Sequence, residues 1–318
     1  MYSSGLDKQL KEYGKVKVNT STAKLTTFRI GGKADFLIEV DEIDRLVALL
    51  NFLVAEGVNY FFLGGGSNIL FPDDGIRGVV IRFRGAKINV EECALEAESG
   101  ASLAAVSNVA IKNSLTGLEW FAGIPGTIGG AVRGNAGARY EFTGGEIKDT
   151  LTKVEVWRDG EVLELANQEC AFGYRESVFK RNNDIVLRAW FNLAKGDAQK
   201  SLATIQEILN LRRGKHPGAP SAGSFFKNLV IEKWKNDTKD LPEIYVKRGK
   251  IPAFWLIDQV DIKGFTIGGA KVSEEHGNFL INFNNATQAD VLAVVEEVKS
   301  RVYNKFGVEL EEEVNVIK

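Results

Sequence analysis

Apolar residues recur along this chain with two periods, and the switches between them mark its elements. Leu6 and Leu10, four apart in a polar start, predict a short amphipathic helix within residues 1–13. Residues 36–40 read as a strand. Asp41 is then placed to cap a helix carrying Ile43, Leu46, Val47, Leu50 and Val54, with Gly57 to end it. The apolar run 60–63 reads as a buried strand, 79–82 and 94–98 as further strands, and 101–113 as a helix. Runs 154–157 and 162–165 flank Asp159-Gly160, a dipeptide suited to a tight hairpin turn. A strand follows at 185–193 and a helix at 197–213. The extended connection 215–223 holds two prolines, and the main domain boundary is expected there. Beyond it come a helix near 253–260 and a long helix at 288–306 capped by Thr287. Residues 308–317 read as a last strand, with Val308, Leu310, Val314 and Val316 on one face and Glu309, Glu311 and Glu313 on the other. Mixed strands and helices without regular βα alternation make the class α+β.

One segment breaks the pattern. Nine glycines fall between Gly117 and Gly145, mixed with Leu118, Trp120, Phe121, Ile124, Ile128 and Val132. Flexible linkers are polar, so this mixture points to backbone packed closely against something other than side chains. Two loops stand out: Gly64-Gly65-Gly66-Ser67-Asn68 after a strand, and Gly123-Ile-Pro-Gly126-Thr127-Ile-Gly129-Gly130 continuing to Asn135-Ala-Gly137. Glycine lets backbone N–H groups converge on an anion and removes the side chain that would block approach. The first loop lacks the Gly-Lys-Ser/Thr ending of a nucleoside-triphosphate loop and the third glycine of a dinucleotide fingerprint. On residue type alone each loop is either a tight turn or half of a diphosphate cradle.

Composition narrows the chemistry. A net charge of −2 gives no global reason to bind nucleic acid or an anionic membrane. Two histidines in 318 residues leave no His-rich metal site, and no metal is expected. Cys93 and Cys170 form no CxxC pair and are expected to be isolated buried thiols. The polar N-terminus and the lack of a long apolar run point to the cytoplasm, with no membrane partner. Oligomeric state leaves no mark in the sequence.

A series of motifs in order carries a resemblance. Thr27-Phe28-Arg29-Ile30-Gly31-Gly32, the two glycine loops, Phe172-Gly173-Tyr174-Arg175-Glu-Ser177, Ala222-Gly223-Ser224-Phe225-Phe226-Lys227-Asn228, Trp255-Leu-Ile-Asp258-Gln259 and Leu310-Glu-Glu-Glu313-Val314 together resemble the UDP-N-acetylenolpyruvoylglucosamine reductase family, over nearly the whole chain from about Asn19. The resemblance implies a two-subdomain FAD-binding fold of the vanillyl-alcohol-oxidase type, over residues 1–85 and 86–213, plus a C-terminal α+β substrate domain over 214–318. It implies non-covalent FAD, NADPH as reductant and UDP-N-acetylglucosamine enolpyruvate as substrate, the last two using one cleft in turn. Arg29, Gly64, Gly65, Gly66, Ser67, Asn68, Gly123, Gly126, Thr127, Gly129, Gly130, Asn135 and Gly137 are then the cofactor positions.

Adding hydride to C3 of an enolpyruvyl group puts negative charge on C2 and its carboxylate. The protein must hold that charge and protonate C2. By resemblance, Ser224 is the proton donor, Arg175 pairs with the substrate carboxylate, and Glu313 polarises the enolate; Lys215 and Lys227 are candidate cations beside Ser224. Tyr174, Lys215, Asn228, Tyr245, Lys250 and His276 match substrate-binding positions. Read without the resemblance, Ser224 is a cap after Gly223, Arg175 a surface arginine and Glu313 part of a solvated acidic face. Leu229 departs from the family's usual proline, Arg133-Gly134 is an unusual filling of the second glycine segment, and the short connection 193–197 leaves no room for a tyrosine-bearing lid loop. Two other readings compete: a sugar or hydroxy-acid oxidase of the same fold, and a binding protein that keeps the scaffold without the reaction.

Overall fold

The computed structural model describes residues 5–182 and 184–318; the first four residues of the helix expected at 1–13 lie outside them. The chain divides into two compact units. The first takes residues 5–20, 34–65 and 77–214; the second takes Ser21–Lys33, Gly66–Ile76 and Lys215–Lys318.

Two cores build the first unit. One packs a four-stranded sheet, in the order Lys15–Ser21, Lys33–Val40, Ile76–Phe83, Tyr60–Phe62, against the helix Ile43–Ala55. That helix buries Leu46, Leu49, Leu50 and Leu53, the i, i+3, i+4, i+7 stripe of an amphipathic helix, against Ile38, Val40, Val79 and Ile81. Its cap is Glu42 rather than the expected Asp41, and Glu42 instead pairs with Arg45 at 3.5 Å. The other core lies on an antiparallel sheet in the order Glu161–Ala166, Leu151–Arg158, Ile185–Asn192, Ala94–Glu98, Ile88–Glu91. Asp159 and Gly160, at φ 48° and 99°, make the hairpin turn that their types favour. The helices Leu103–Lys112 and Ile128–Gly134 cover this sheet with Leu103, Val106, Ile128 and Val132. Cys170 is buried, its thiol pushed up to about 12 by burial first and Glu169 second. Cys93 is only partly buried, which corrects the expectation of two buried thiols.

The second unit rests on the antiparallel sheet Ser221–Ser224, Phe279–Asn282, Ala270–Val272, Thr266–Ile267. Residues expected to be a plain connection at 215–223 therefore end in a strand. The helix Gln288–Phe306 starts at Thr287, whose side chain and that of Asp290 bond each other's backbone N–H. It buries Val291, Val294, Val295, Val298 and Val302. Phe28, Ile30 and Leu70 join the same core from the early part of the chain. The last strand is shorter than the alternation predicts. Val308, Leu310 and Val314 are buried, but the ladder covers only Asn315–Val316, parallel to Ile69–Leu70. Residues 311–313 bond the 225–227 segment instead, so pairing is split between two partners and no continuous ladder forms.

Candidate active site

In the first unit the two glycine loops meet. A Cβ on Gly65 would lie 2.9 Å from the Gly126 Cα, and one on Gly64 would lie 3.0 Å from the Thr127 hydroxyl. Only bare backbone allows this approach. The second loop turns at Gly123 and Gly126, at φ 71° and 143°. Gly129 donates its N–H to the Ser99 carbonyl at 2.8 Å and leaves no room for a side chain, since a Cβ would come 2.9 Å from that of Ser99. Thr127 begins the helix Ile128–Gly134 and accepts the Gly130 N–H. The two loops thus present mostly glycine backbone to each other, an arrangement that fits a dinucleotide diphosphate.

Asn135 ends that helix in a left-handed conformation and is fully buried. Its amide donates to the Gly173 carbonyl at 2.8 Å and accepts the Lys148 N–H at 3.1 Å. Its side chain thus ties the second glycine segment to the turn that carries Tyr174 and Arg175. Gly173 and Glu176 exchange backbone hydrogen bonds across that turn. Arg175 sits at φ 57°, a left-handed position that non-glycine residues seldom take. Its guanidinium donates to the Gly137 carbonyl at 2.8 Å and lies 5.5 Å from the Tyr174 ring. Lys180 donates to the Arg175 carbonyl at 2.6 Å.

In the second unit Gly66, at φ 67°, presses on the Leu25 carbonyl, and its own carbonyl accepts the Thr27 N–H. Arg29 is exposed and left-handed, at φ 57°, and its carbonyl accepts the Asn282 amide at 3.2 Å. Ser67 is partly buried. Asn68 donates to the Glu313 carbonyl at 3.1 Å and accepts the Asn315 N–H at 3.1 Å. Ser224 ends its strand opposite Phe279, just after left-handed Gly223. Phe225 accepts the Glu313 N–H at 2.8 Å, and Phe226 bridges Glu312. Ser224 and Glu313 are therefore carried on segments tied together within one residue of each. Glu313 is half-buried, whereas Glu309 and Glu311 are exposed.

The remaining positions sort by their partners. The Lys227 ammonium donates to Glu311 at 2.5 Å, so that candidate cation is tied to a carboxylate. Lys215 is exposed. Asn228 accepts the Ala253 N–H at 3.1 Å, at the start of the helix Ala253–Asp258. Tyr245 stands edge-on to Trp255 at 5.9 Å, and burial, ahead of its charged neighbours, raises its phenol. Lys250 lies in a two-residue strand paired with Val230. Leu229, where the family has proline, is buried opposite Ile251. His276 is packed by Phe254 and Phe279 and accepts the Asn278 N–H at its Nδ1.

Comparison with known proteins decides the family. Residues 215–317 match the C-terminal domain model of UDP-N-acetylenolpyruvoylglucosamine reductase, and residues 34–166 match an FAD-binding domain model. The reductase of Caldanaerobacter subterraneus subsp. tengcongensis is 41% identical over 313 residues, covering 98% of this chain and 96% of that one. The chain belongs to the UDP-N-acetylenolpyruvoylglucosamine reductase family. It is an FAD-dependent oxidoreductase. The reductase of Carboxydothermus hydrogenoformans is 40% identical over 305 residues, covering 94% and 93% of the two chains. A solved reductase from Thermus caldophilus superposes with a TM-score of 0.74 at 32% identity, covering 96% of this chain and 98% of that one. An FAD-binding part followed by a C-terminal α+β domain is the architecture of this family, and it is the architecture of this chain.

Two members of the site escaped the sequence reading. Asn278 and Asn282 are polar residues at either end of the apolar run 279–281. Asn278 is buried and bonds the Phe226 backbone in both directions; Asn282 holds the carbonyls of Phe28 and Arg29. A short amide bounding a buried strand was the available signal, since buried polar groups are kept for their hydrogen bonds.

Proposed function

We propose that the chain reduces UDP-N-acetylglucosamine enolpyruvate to UDP-N-acetylmuramate with NADPH, a step of peptidoglycan precursor synthesis, in the cytoplasm where NADPH is available. On this reading the two cores of the first unit are the subdomains of a vanillyl-alcohol-oxidase-type flavin domain. FAD is held non-covalently, with its diphosphate on the backbone of the two glycine loops; neither histidine of the chain lies in those loops. When bound, the flavin supplies hydride chemistry. The chain's own residues bind the UDP-sugar, hold the charge on C2 and its carboxylate, and deliver a proton to C2.

Ser224 Oγ is the proposed donor of that proton, leaving the overall change as one hydride at C3 and one proton at C2. A serine hydroxyl is a weak acid and serves only because the carbanion-like C2 is strongly basic. Arg175 offers a planar fork for the substrate carboxylate, and Glu313 polarises the developing enolate. Tyr174, Lys215, Asn228, Tyr245, Lys250 and His276 are the proposed contributors to substrate binding. The observation that supports the reading is the Phe225–Glu313 backbone hydrogen bond, which ties the segment after Ser224 to the segment bearing Glu313 within the family's own C-terminal domain. Oxidation of NADPH that requires the enolpyruvyl sugar, with a product two hydrogens heavier, is the expected result. NADPH oxidation that ignores that sugar and follows oxygen contradicts the reading.

A further inference from the structure

Within the second unit, one residue holds the backbone that follows Ser224. Asn278 accepts the Phe225 N–H at its carbonyl (2.8 Å) and the Phe226 N–H at its Oδ1 (2.9 Å), and its Nδ2 donates to the Phe226 carbonyl (2.9 Å). Phe225 in turn accepts the Glu313 N–H. Asn278, Phe225 and Phe226 are all buried, so no water replaces these bonds. Asn278 is itself fixed by His276, whose Nδ1 accepts its N–H at 3.2 Å, while the His276 carbonyl accepts the Phe279 N–H at 2.9 Å. An imidazole that accepts at Nδ1 is neutral and carries its proton on Nε2.

We propose that His276 is a positioning residue: its neutral Nδ1 locks Asn278, and Asn278 sets the Ser224 hydroxyl and the Glu313 carboxylate for proton delivery. The proposal rests on the assignment of Ser224 above, and it gives His276 a task in addition to its proposed part in substrate binding. The surroundings suit it. The ring is enclosed by Phe279 at 4.8 Å and Phe254 at 5.2 Å, with His216 at 6.2 Å. Burial is the largest influence and keeps the imidazole below its ordinary 6.5; Asp258 and the residue's own backbone oppose this and Lys263 assists it. Protonation would turn Nδ1 into a donor facing the Asn278 N–H, and the lock would open. As pH falls through the depressed value, the rate of proton delivery should fall with it.

The test uses the holoenzyme. With only two histidines in the chain, nitrogen-15 NMR of the imidazoles, with His216→Gln to separate them, reads the tautomer directly. An Nε2–H tautomer for His276 is expected; an Nδ1–H tautomer overturns the proposal. In anaerobic single turnovers of pre-reduced enzyme, His276→Phe should slow flavin reoxidation by the enolpyruvyl UDP-sugar roughly 10²-fold, the scale of a small misplacement of a reacting group. His276→Asn, whose side-chain oxygen can stand in for Nδ1, should recover most of that loss and remove the acid limb. If His276→Phe does not fold, the pH profile of His276→Asn still decides, because a retained limb overturns the proposal. A rise in KM for the sugar with unchanged reoxidation also overturns it, as that is the mark of direct contact alone. Ser224→Ala is measured alongside. Normal reoxidation there takes down the Ser224 assignment together with this inference, whereas slow Ser224→Ala beside normal His276→Phe sinks this inference alone.

Discussion

Arg175 and Asn135 show how much of the site depends on single backbone positions. Both are non-glycine residues in left-handed conformations, at φ 57° and 39°, which costs of order 1 kcal/mol each and persists where the surroundings demand it. Asn135 meets the demand with its own amide. Asn135→Ala should remove the partner of the part-buried Gly173 carbonyl and Lys148 N–H, and a loss of about 1–2 kcal/mol in chemical denaturation is expected; a loss under about 0.5 kcal/mol would contradict that role. Arg175→Lys keeps the charge and loses the fork. Turnover should fall about 10²–10³-fold, the usual scale for losing a group that holds developing charge, and near-normal turnover would rule out a bidentate partner. Ser224→Ala should leave flavin reduction by NADPH nearly intact and slow the reoxidation step by about 10²–10⁴. Equal slowing of both half-reactions would count against a proton donor.

At the scale of elements, the two glycine loops meet backbone to backbone. A methyl group at Gly65 meets backbone rather than a flexible side chain, so Gly65→Ala should push the loops apart. The purified variant is expected to lose its flavin colour while keeping its fold by circular dichroism; retention of stoichiometric flavin would contradict the cradle. A second element is held by charge. Glu119 is buried, and although burial alone pushes its carboxyl up, hydrogen bonds from Ser201 and Thr116 and the Gly117 N–H outweigh it and hold the carboxyl below the ordinary 4.5. A carboxylate depressed by folding adds stability above its unfolded value, and that stability is lost as pH falls through the lower folded value. Melting temperature should therefore drop with acid below about pH 4.5, and Glu119→Gln should flatten that drop. An unchanged acid slope would remove Glu119 from the account.

Over the whole molecule, local signals read well and distant ones did not. Thr287 and Asp159-Gly160 announced their cap and turn because each acts on backbone a few residues away. The period-two burial of Val308, Leu310 and Val314 was legible for the same reason. What the pattern could not show is which partners receive the final segment, because Asn68, Phe225 and Ile69 lie far off in sequence. Nor could it show that residues 21–33 and 66–76 belong with the C-terminal unit. The candidate residues Ser224, Arg175 and Glu313 rest on an ordered series of motifs rather than on residue type, since each has an ordinary structural reading. Because Phe28, Ile30 and Leu70 complete the second unit's core, a fragment of residues 215–318 alone should lack cooperative unfolding and near-ultraviolet circular dichroism. A sharp melt from that fragment would show the early segments to be dispensable.

The most direct test of the whole account is an anaerobic visible absorption trace of the purified protein, with NADPH added first and the enolpyruvyl UDP-sugar second. A flavin spectrum that bleaches with NADPH and returns only with that sugar is the expected result. A bound flavin that NADPH cannot bleach, or a colourless protein that takes up no added FAD, would contradict it.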